Sequence, residues 1–213
     1  MIDYDFKSRE EEYFSYYLEE LKQAGFVKDW GYEVNTFPLS EPVVNYYYKN
    51  VRGKTVVKSE HLLREASITA DFSILWNKKA ENIFYLNTEV PIKGNVRDIP
   101  FRVNTTVEED GERKFISYVE IKAYYEKNTS SSISFPYKQK WLYDKAGIYI
   151  QKIKPFSPKK SKRADTLFNL TFTPRKVINL EVYRRNTSKN RIGESKLNYD
   201  VKTLNEFLFN LKK

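Results

Sequence analysis

Two short stretches of this sequence carry charged side chains where strand geometry would let them act together. Asp71 lies inside the apolar run Ile68-Thr69-Ala70-Asp71-Phe72-Ser73-Ile74-Leu75-Trp76, and Glu120-Ile121-Lys122 lies inside the run from Phe115 to Tyr124. Side chains at i and i+2 of a strand face the same way, so Glu120 and Lys122 project together. A carboxylate embedded in an apolar strand is costly unless it is paired, coordinated or at a sheet edge. Two such carboxylates could converge on one divalent cation, which would lower the pKa of both. Water on such an ion is a competent nucleophile near neutral pH. Lys122 beside it could orient that water or offset charge developing on a phosphoryl group. Glu89, Asp98, Glu108 and Glu109 are the competing acids; Glu89, in Leu86-Asn87-Thr88-Glu89-Val90, is the principal rival to Asp71 as the strand acid.

Composition narrows the chemistry further. The 213 residues include no Cys and one His, His61, against 37 Lys+Arg and 28 Asp+Glu. Disulfides, thiolate zinc sites, iron–sulfur clusters and cysteine nucleophiles are excluded, and so are His-rich metal sites. Oxygen ligands remain, which suit Mg²⁺, Mn²⁺ or Ca²⁺. His61 reads as polar surface. The net charge of +9 points to a polyanionic partner, nucleic acid first among them. The 17 Tyr and 14 Phe fit sheet packing, with some free to stack on bases. No run approaches the roughly 18 apolar residues of a membrane span and no signal-peptide pattern opens the chain, so no membrane association and a cytoplasmic address are expected.

The elements that must position these residues can be read from periodicity. A helix is predicted over 8–24: Ser8 is the N-cap, Glu11 its capping-box partner, and Glu11, Phe14, Leu18 and Leu21 share one face. Ala24-Gly25 ends it. Phe26 to Phe37 reads as extended, interrupted by Pro38 and Pro42. Val43 to Tyr48 is β-prone, and Arg52-Gly53 resembles a turn with Val56 and Val57 continuing a hairpin. Strands are expected over 68–76, within 83–107 and over 115–124, with turns at Lys93-Gly94-Asn95 and Asp110-Gly111. Asn128 to Ser132 reads as a polar loop, 135–146 as a helix closed by Gly147, and 148–153 as a strand. Residues 154–163, KPFSPKKSKR, form a basic loop whose Lys159, Lys160, Lys162 and Arg163 could track phosphates without sequence specificity. Leu167 to Leu180 reads as β-like with a break at Pro174, and Leu204 to Leu211 as a short helix. The order implies an α/β or α+β sheet domain.

Taken together, these blocks resemble the PD-(D/E)XK nuclease superfamily, and most of all its phage-encoded members similar to Holliday-junction resolvases. The resemblance rests on Ser8-Arg9-Glu10-Glu11 opening the first helix, Thr69-Ala70-Asp71-Phe72, Glu120-Ile121-Lys122, the Lys138-Gln139-Lys140-Trp141 run and Phe172-Thr173-Pro174. It implies a restriction-endonuclease-like mixed β-sheet flanked by helices. It also implies a Mg²⁺ or Mn²⁺ held by Asp71 and Glu120 with Glu11 as a further ligand, and Lys122 assisting catalysis. Lys138, Gln139 and Lys140 would back the site or contact DNA phosphate. The expected activity is endonucleolytic hydrolysis of DNA, branched or junction DNA above all, in phage replication or recombination. A homodimer in the host cytoplasm and no organic cofactor are implied. The alternative is a DNA-binding accessory protein that keeps the fold without cleaving. Asp71 and Glu120 stand 49 positions apart, so residues 77–114 are expected to form an inserted β-hairpin excursion within a domain of residues 1–180. Residues 181–213 then form an extension ending in the short helix.

Overall fold

The first helix forms where its signals lie. In the computed structural model, which describes residues 4–87, 99–107, 111–124, 130–157, 166–180 and 201–211, α1 spans Arg9–Gln23. Ser8 caps it, its hydroxyl accepting the Glu11 N–H at 3.2 Å. Gly25, at φ 75, closes it with paired bonds from Gly25 N to Lys22 O and from Phe26 N to Leu21 O. That Schellman pattern requires a left-handed residue, which glycine supplies without strain.

The chain then builds a five-stranded sheet, mostly antiparallel. β1 (Val27–Ser40) lies at its edge, next to β4 (Ala66–Trp76), which pairs with β8 (Arg113–Ile121). The far side of β8 is shared. Its first half pairs antiparallel with β7 (Asn104–Val107), and its second half pairs parallel with β9 (Ile150–Ile153). α2 (Ser130–Ala146) makes the crossover to β9 and ends at Gly147, whose φ is 68. The fold is α+β.

Each face of the sheet has its own apolar core. Tyr13, Phe14, Tyr17, Leu18 and Leu21 of α1 pack on Phe72, Ile74, Trp76, Val119 and Ile121. On the other face, Phe135 and Leu142 of α2 pack with Leu39, Ile68, Ala70, Tyr118 and Ile150. Phe72 is the hub of the first core: its ring lies 4.9 Å from Phe14, 5.2 Å from Tyr32 and 5.9 Å from Trp30.

Several expectations are revised. β1 runs through Pro38 to Ser40, because an edge strand can lose one N–H without breaking a ladder. α2 begins at Ser130, inside the expected polar loop. Within 167–180 the chain is helical in two pieces: α3 covers Leu167–Leu170, and 175–180 form a further helical stretch, with Ile178 N bonded to Pro174 O. A short apolar run without clear period does not separate helix from strand, and Pro174 starts a helix here. Within 77–114, β5 (Tyr85–Leu86) and β6 (Phe101–Arg102) pair parallel, while the antiparallel pairing there is that of β7 with β8 around Gly111. The last helix, α4 (Leu204–Asn210), buries Leu204 and Phe207 in the core that α1 covers.

The expected hairpin is present. Among the described residues, β2 (Val43–Val51) and β3 (Lys54–Leu63) pair only with each other, joined by Arg52 at φ 50 and Gly53 at φ 75. Two central residues with positive φ make the tight turn that suits strand twist. Among the described residues, no helix is long and apolar enough to cross a membrane.

Candidate metal centre

The ladder between β4 and β8 stops one step short of the two acids. Its last pair is Phe72 with Val119, and the same register continued would set Asp71 opposite Glu120. There the Asp71 side chain takes over: its Oδ2 accepts the Ile121 N–H at 2.6 Å. On the other side of Asp71, β1 carries a bulge. Its register shifts between Tyr32 and Asn35, opposite Phe72 and Ala70, and Glu33 adopts φ 50. A bulge of this kind re-aims nearby side chains. The changeover between cores also falls here, since Ala70 packs with the α2 core and Phe72 with the α1 core. Asp71 thus sits where regular pairing fails on both of its sides.

Glu120 and Lys122 point the same way, as period two requires. Lys122 Nζ donates to Glu120 Oε1 at 2.6 Å, and their side chains are only 17% and 14% exposed. Glu11 comes from the first turn of α1 and is 8% exposed. Its carboxylate does not return to Ser8, as a capping box would have it; Oε2 accepts from Lys7 N at 3.0 Å and from the Tyr32 hydroxyl at 2.6 Å. Lys7 is in turn paired with Glu33 of the bulge.

These groups share one electrostatic environment. Burial first, then the charge of Glu120 and more weakly that of Glu11, push the Asp71 carboxyl up to about 7; the Ile121 N–H and Lys122 act in the opposite direction. Burial and the bond to Glu11 also raise the Tyr32 hydroxyl above its ordinary value. The local balance is therefore an excess of negative charge that Lys122 only partly offsets.

That excess is what a hard divalent cation would neutralise. Among the described residues, no group of three His, Asp or Glu side chains is set to enclose an ion by itself. Mg²⁺ commonly takes only one or two carboxylates and completes its shell with water and substrate phosphate, and Asp71 and Glu120 carry oxygen donors of the kind it takes. Glu11 is already held by two donors, and its charge reaches Asp71 more weakly than that of Glu120.

Of the residues expected to meet DNA, Lys138 and Gln139 have partners within the protein. Lys138 Nζ donates to Ser67 O at 3.0 Å, and the Gln139 amide donates to Ile150 O. Both bonds fasten α2 to the sheet, on strands β4 and β9. Lys140 is exposed. Lys159, Lys160, Lys162 and Arg163 lie outside the described residues, as do the rival acids Glu89, Asp98, Glu108 and Glu109. One cation escaped notice in the sequence. Lys152 of β9 occupies the register position beside Glu120, and parallel pairing puts paired side chains on one face. The signal for it was its place in the β-like 148–153 run, but only the pairing with β8 gives it meaning.

Comparison of the chain with protein-family models, with curated proteins and with solved structures found no significant match.

Proposed function

We propose that this protein is a divalent-metal-dependent endonuclease acting on DNA, with branched or junction DNA as its substrate class. The observation that carries the proposal is the meeting of Asp71 with the Glu120–Lys122 pair at the end of the β4–β8 ladder, where Asp71 is held near neutrality. The sequence resemblance requires an acid strand beside an acid-X-Lys strand, with a helix glutamate ahead of them; β4, β8 and α1 have that relation. Bound at Asp71 and Glu120, Mg²⁺ or Mn²⁺ would supply positive charge against the scissile phosphate and acidify a water beside it.

The chain's own residues do the rest. Asp71 is oriented by the Ile121 N–H, and Glu120 is fixed by Lys122. When a phosphate approaches, the Lys122 ammonium can leave Glu120 for a phosphoryl oxygen and stabilise charge that grows there in the transition state. Tyr32 and Lys7 N hold Glu11 in place behind Asp71. Lys152 adds a cation on the same face as Glu120.

The test is cleavage of a labelled four-way junction, a flap and a linear duplex in Mg²⁺ or Mn²⁺. Glu120→Ala and Lys122→Ala should each lower the rate at least about 100-fold, the usual cost of losing such a stabilising group. Absence of cleavage on every substrate, or variants that cut like the wild type, would overturn the enzymatic reading and leave the non-cleaving DNA-binding protein in its place.

A further inference from the structure

The hairpin β2–β3 departs from the sheet at Ser40 and returns at Ala66, which pair with each other at its root. Beyond the root, no other described strand pairs with it. Of its strand residues only Val44 is even half-buried; every other residue of β2 and β3 is exposed. At about 3.3 Å per residue the arm reaches roughly 30 Å. A two-stranded ribbon with both faces in water is marginally stable by itself, and exposed apolar groups gathered in one place mark contact surfaces.

The arm is also sorted by face. Cross-strand pairs put Tyr46 with Ser59 and Tyr48 with Val57 on one face, and Tyr47 with Lys58, Lys49 with Val56 and Val51 with Lys54 on the other. All three lysines therefore share a face, with Arg52 at the tip. From Val43 to Leu63 there are four Lys and Arg residues and one acid, Glu60, which pairs with Asn45 on the lysine face toward the root. On the opposite face Tyr46 and Tyr48 are 70% and 79% exposed.

We infer that this arm is a DNA-gripping ribbon: its lysine face and Arg52 lie along the phosphate backbone, and Tyr46 and Tyr48 offer ring faces to unpaired bases. Charge complementarity selects a polyanion. It disfavours a second copy of this chain, because two such arms side by side would bring eight cations together. A two-stranded ribbon fits the major groove, about 12 Å wide, and ring stacking needs bases that are already unpaired, as at a branch point. The arm's root lies on the same strand as Asp71, with about 17 Å of β4 between Ala66 and the acid. The inference deepens the nuclease reading and rests on it only for the choice of DNA over RNA.

The experiment measures binding by the full chain of a fluorescein-labelled four-way junction and a linear duplex by anisotropy, in EDTA, across a salt series. Replacing Lys49, Arg52, Lys54 and Lys58 together by Gln should weaken binding to both DNAs at least about 10-fold. It should also flatten the dependence of log K on log salt by about 3 to 4, at roughly 0.9 for each phosphate that is no longer neutralised. Tyr46→Ser with Tyr48→Ser should leave that slope unchanged and weaken junction binding about 5-fold or more, duplex binding less. All these positions are solvent-exposed, so the variants should melt like the wild type. Wild-type affinity and slope in the four-residue variant would overturn the proposal while leaving the nuclease reading intact. So would a wild-type dimer that becomes monomeric on Tyr46→Ser/Tyr48→Ser with DNA affinity unchanged, since the arm would then serve self-association. Loss of binding in the arm variants together with full cleavage by Glu120→Ala would uphold the arm and sink the proposed catalytic site.

Discussion

Asp71→Asn isolates the electrostatic cost of the candidate centre. The folded protein holds this carboxyl near pH 7 instead of its ordinary 3.8, chiefly through burial and the Glu120 charge. Between those two pH values the folded chain binds a proton that the unfolded chain has released, so stability falls as pH rises across the window. The contribution is fully present below about 3.8 and is gone once pH has passed through about 7. Three pKa units correspond to about 4 kcal/mol at most. Residual exposure of Asp71 to solvent lowers that to about 2–3 kcal/mol by screening. Asparagine has nearly the same shape and keeps a carbonyl oxygen to accept the Ile121 N–H, and the stronger bond of that N–H to the charged carboxylate is already contained in the raised value. Metal-free Asp71→Asn should therefore be more stable than wild type by about 2–3 kcal/mol at pH 8 and by about 1 kcal/mol or less at pH 4.5. Urea denaturation in EDTA from pH 4.5 to 8.5, followed by the fluorescence of the three Trp residues, gives the difference, because the titrations of groups remote from Asp71 cancel between the two proteins. Adding Mg²⁺ at pH 8 should then raise the wild-type midpoint and leave Asp71→Asn where it was. If the two proteins keep a constant difference from pH 4.5 to 8.5, Asp71 is not an uncompensated acid and the centre lacks the negative excess that a cation would neutralise.

Two further predictions concern the groups behind the site. Tyr32→Phe removes one of the two donors that hold the buried Glu11 carboxylate; it should cost about 1.5–3 kcal/mol in urea denaturation, and a value near zero would show that Glu11 is held otherwise. Gly25→Ala forces a side chain into φ 75 at the end of α1, and should lower stability by about 1–2 kcal/mol; an unchanged melting temperature would contradict the left-handed cap.

What could be read from the sequence was whatever depends on local period or local turn chemistry. Glu120 and Lys122 share a face because strands alternate, and that needs no tertiary information. Arg52-Gly53 announced its turn, and Ser8 with Gly25 bracketed α1. What escaped depends on partners distant in the chain. The bulge opposite Asp71 is made at Glu33-Val34, which has no glycine to announce it. Lys152 matters only because β9 lies parallel to β8. Pro38 reads as a breaker until β1 is known to be an edge strand. The apolar 167–180 run is helical at Leu167–Leu170 and at 175–180 because its place in the core, not its own pattern, decides its form.

The divided outer side of β8 bears on the long separation of the two acids. Closing a chain segment costs entropy that grows only with the logarithm of its length, about 0.6 kcal/mol per doubling. Replacing a tight turn by the excursion from Asn77 to Glu112 amounts to three or four doublings, about 2 kcal/mol. Phe84, Tyr85 and Phe101, all at 0% exposure, bury far more than that would require. Among the described residues, the strand pairing of the excursion with β8 runs through β7, along Arg113 to Ile116, whereas Tyr118 to Ile121 pair with β9, which the excursion reaches through Arg102 N and Pro100 O on Gln151. The half of the strand that carries Glu120 thus takes its strand partners from β4 and β9 and not from the excursion. Lengthening the segment between the two acids away from Pro100 to Asn104, which bond to β8 and β9, would leave those pairings, and the register of the acids, in place.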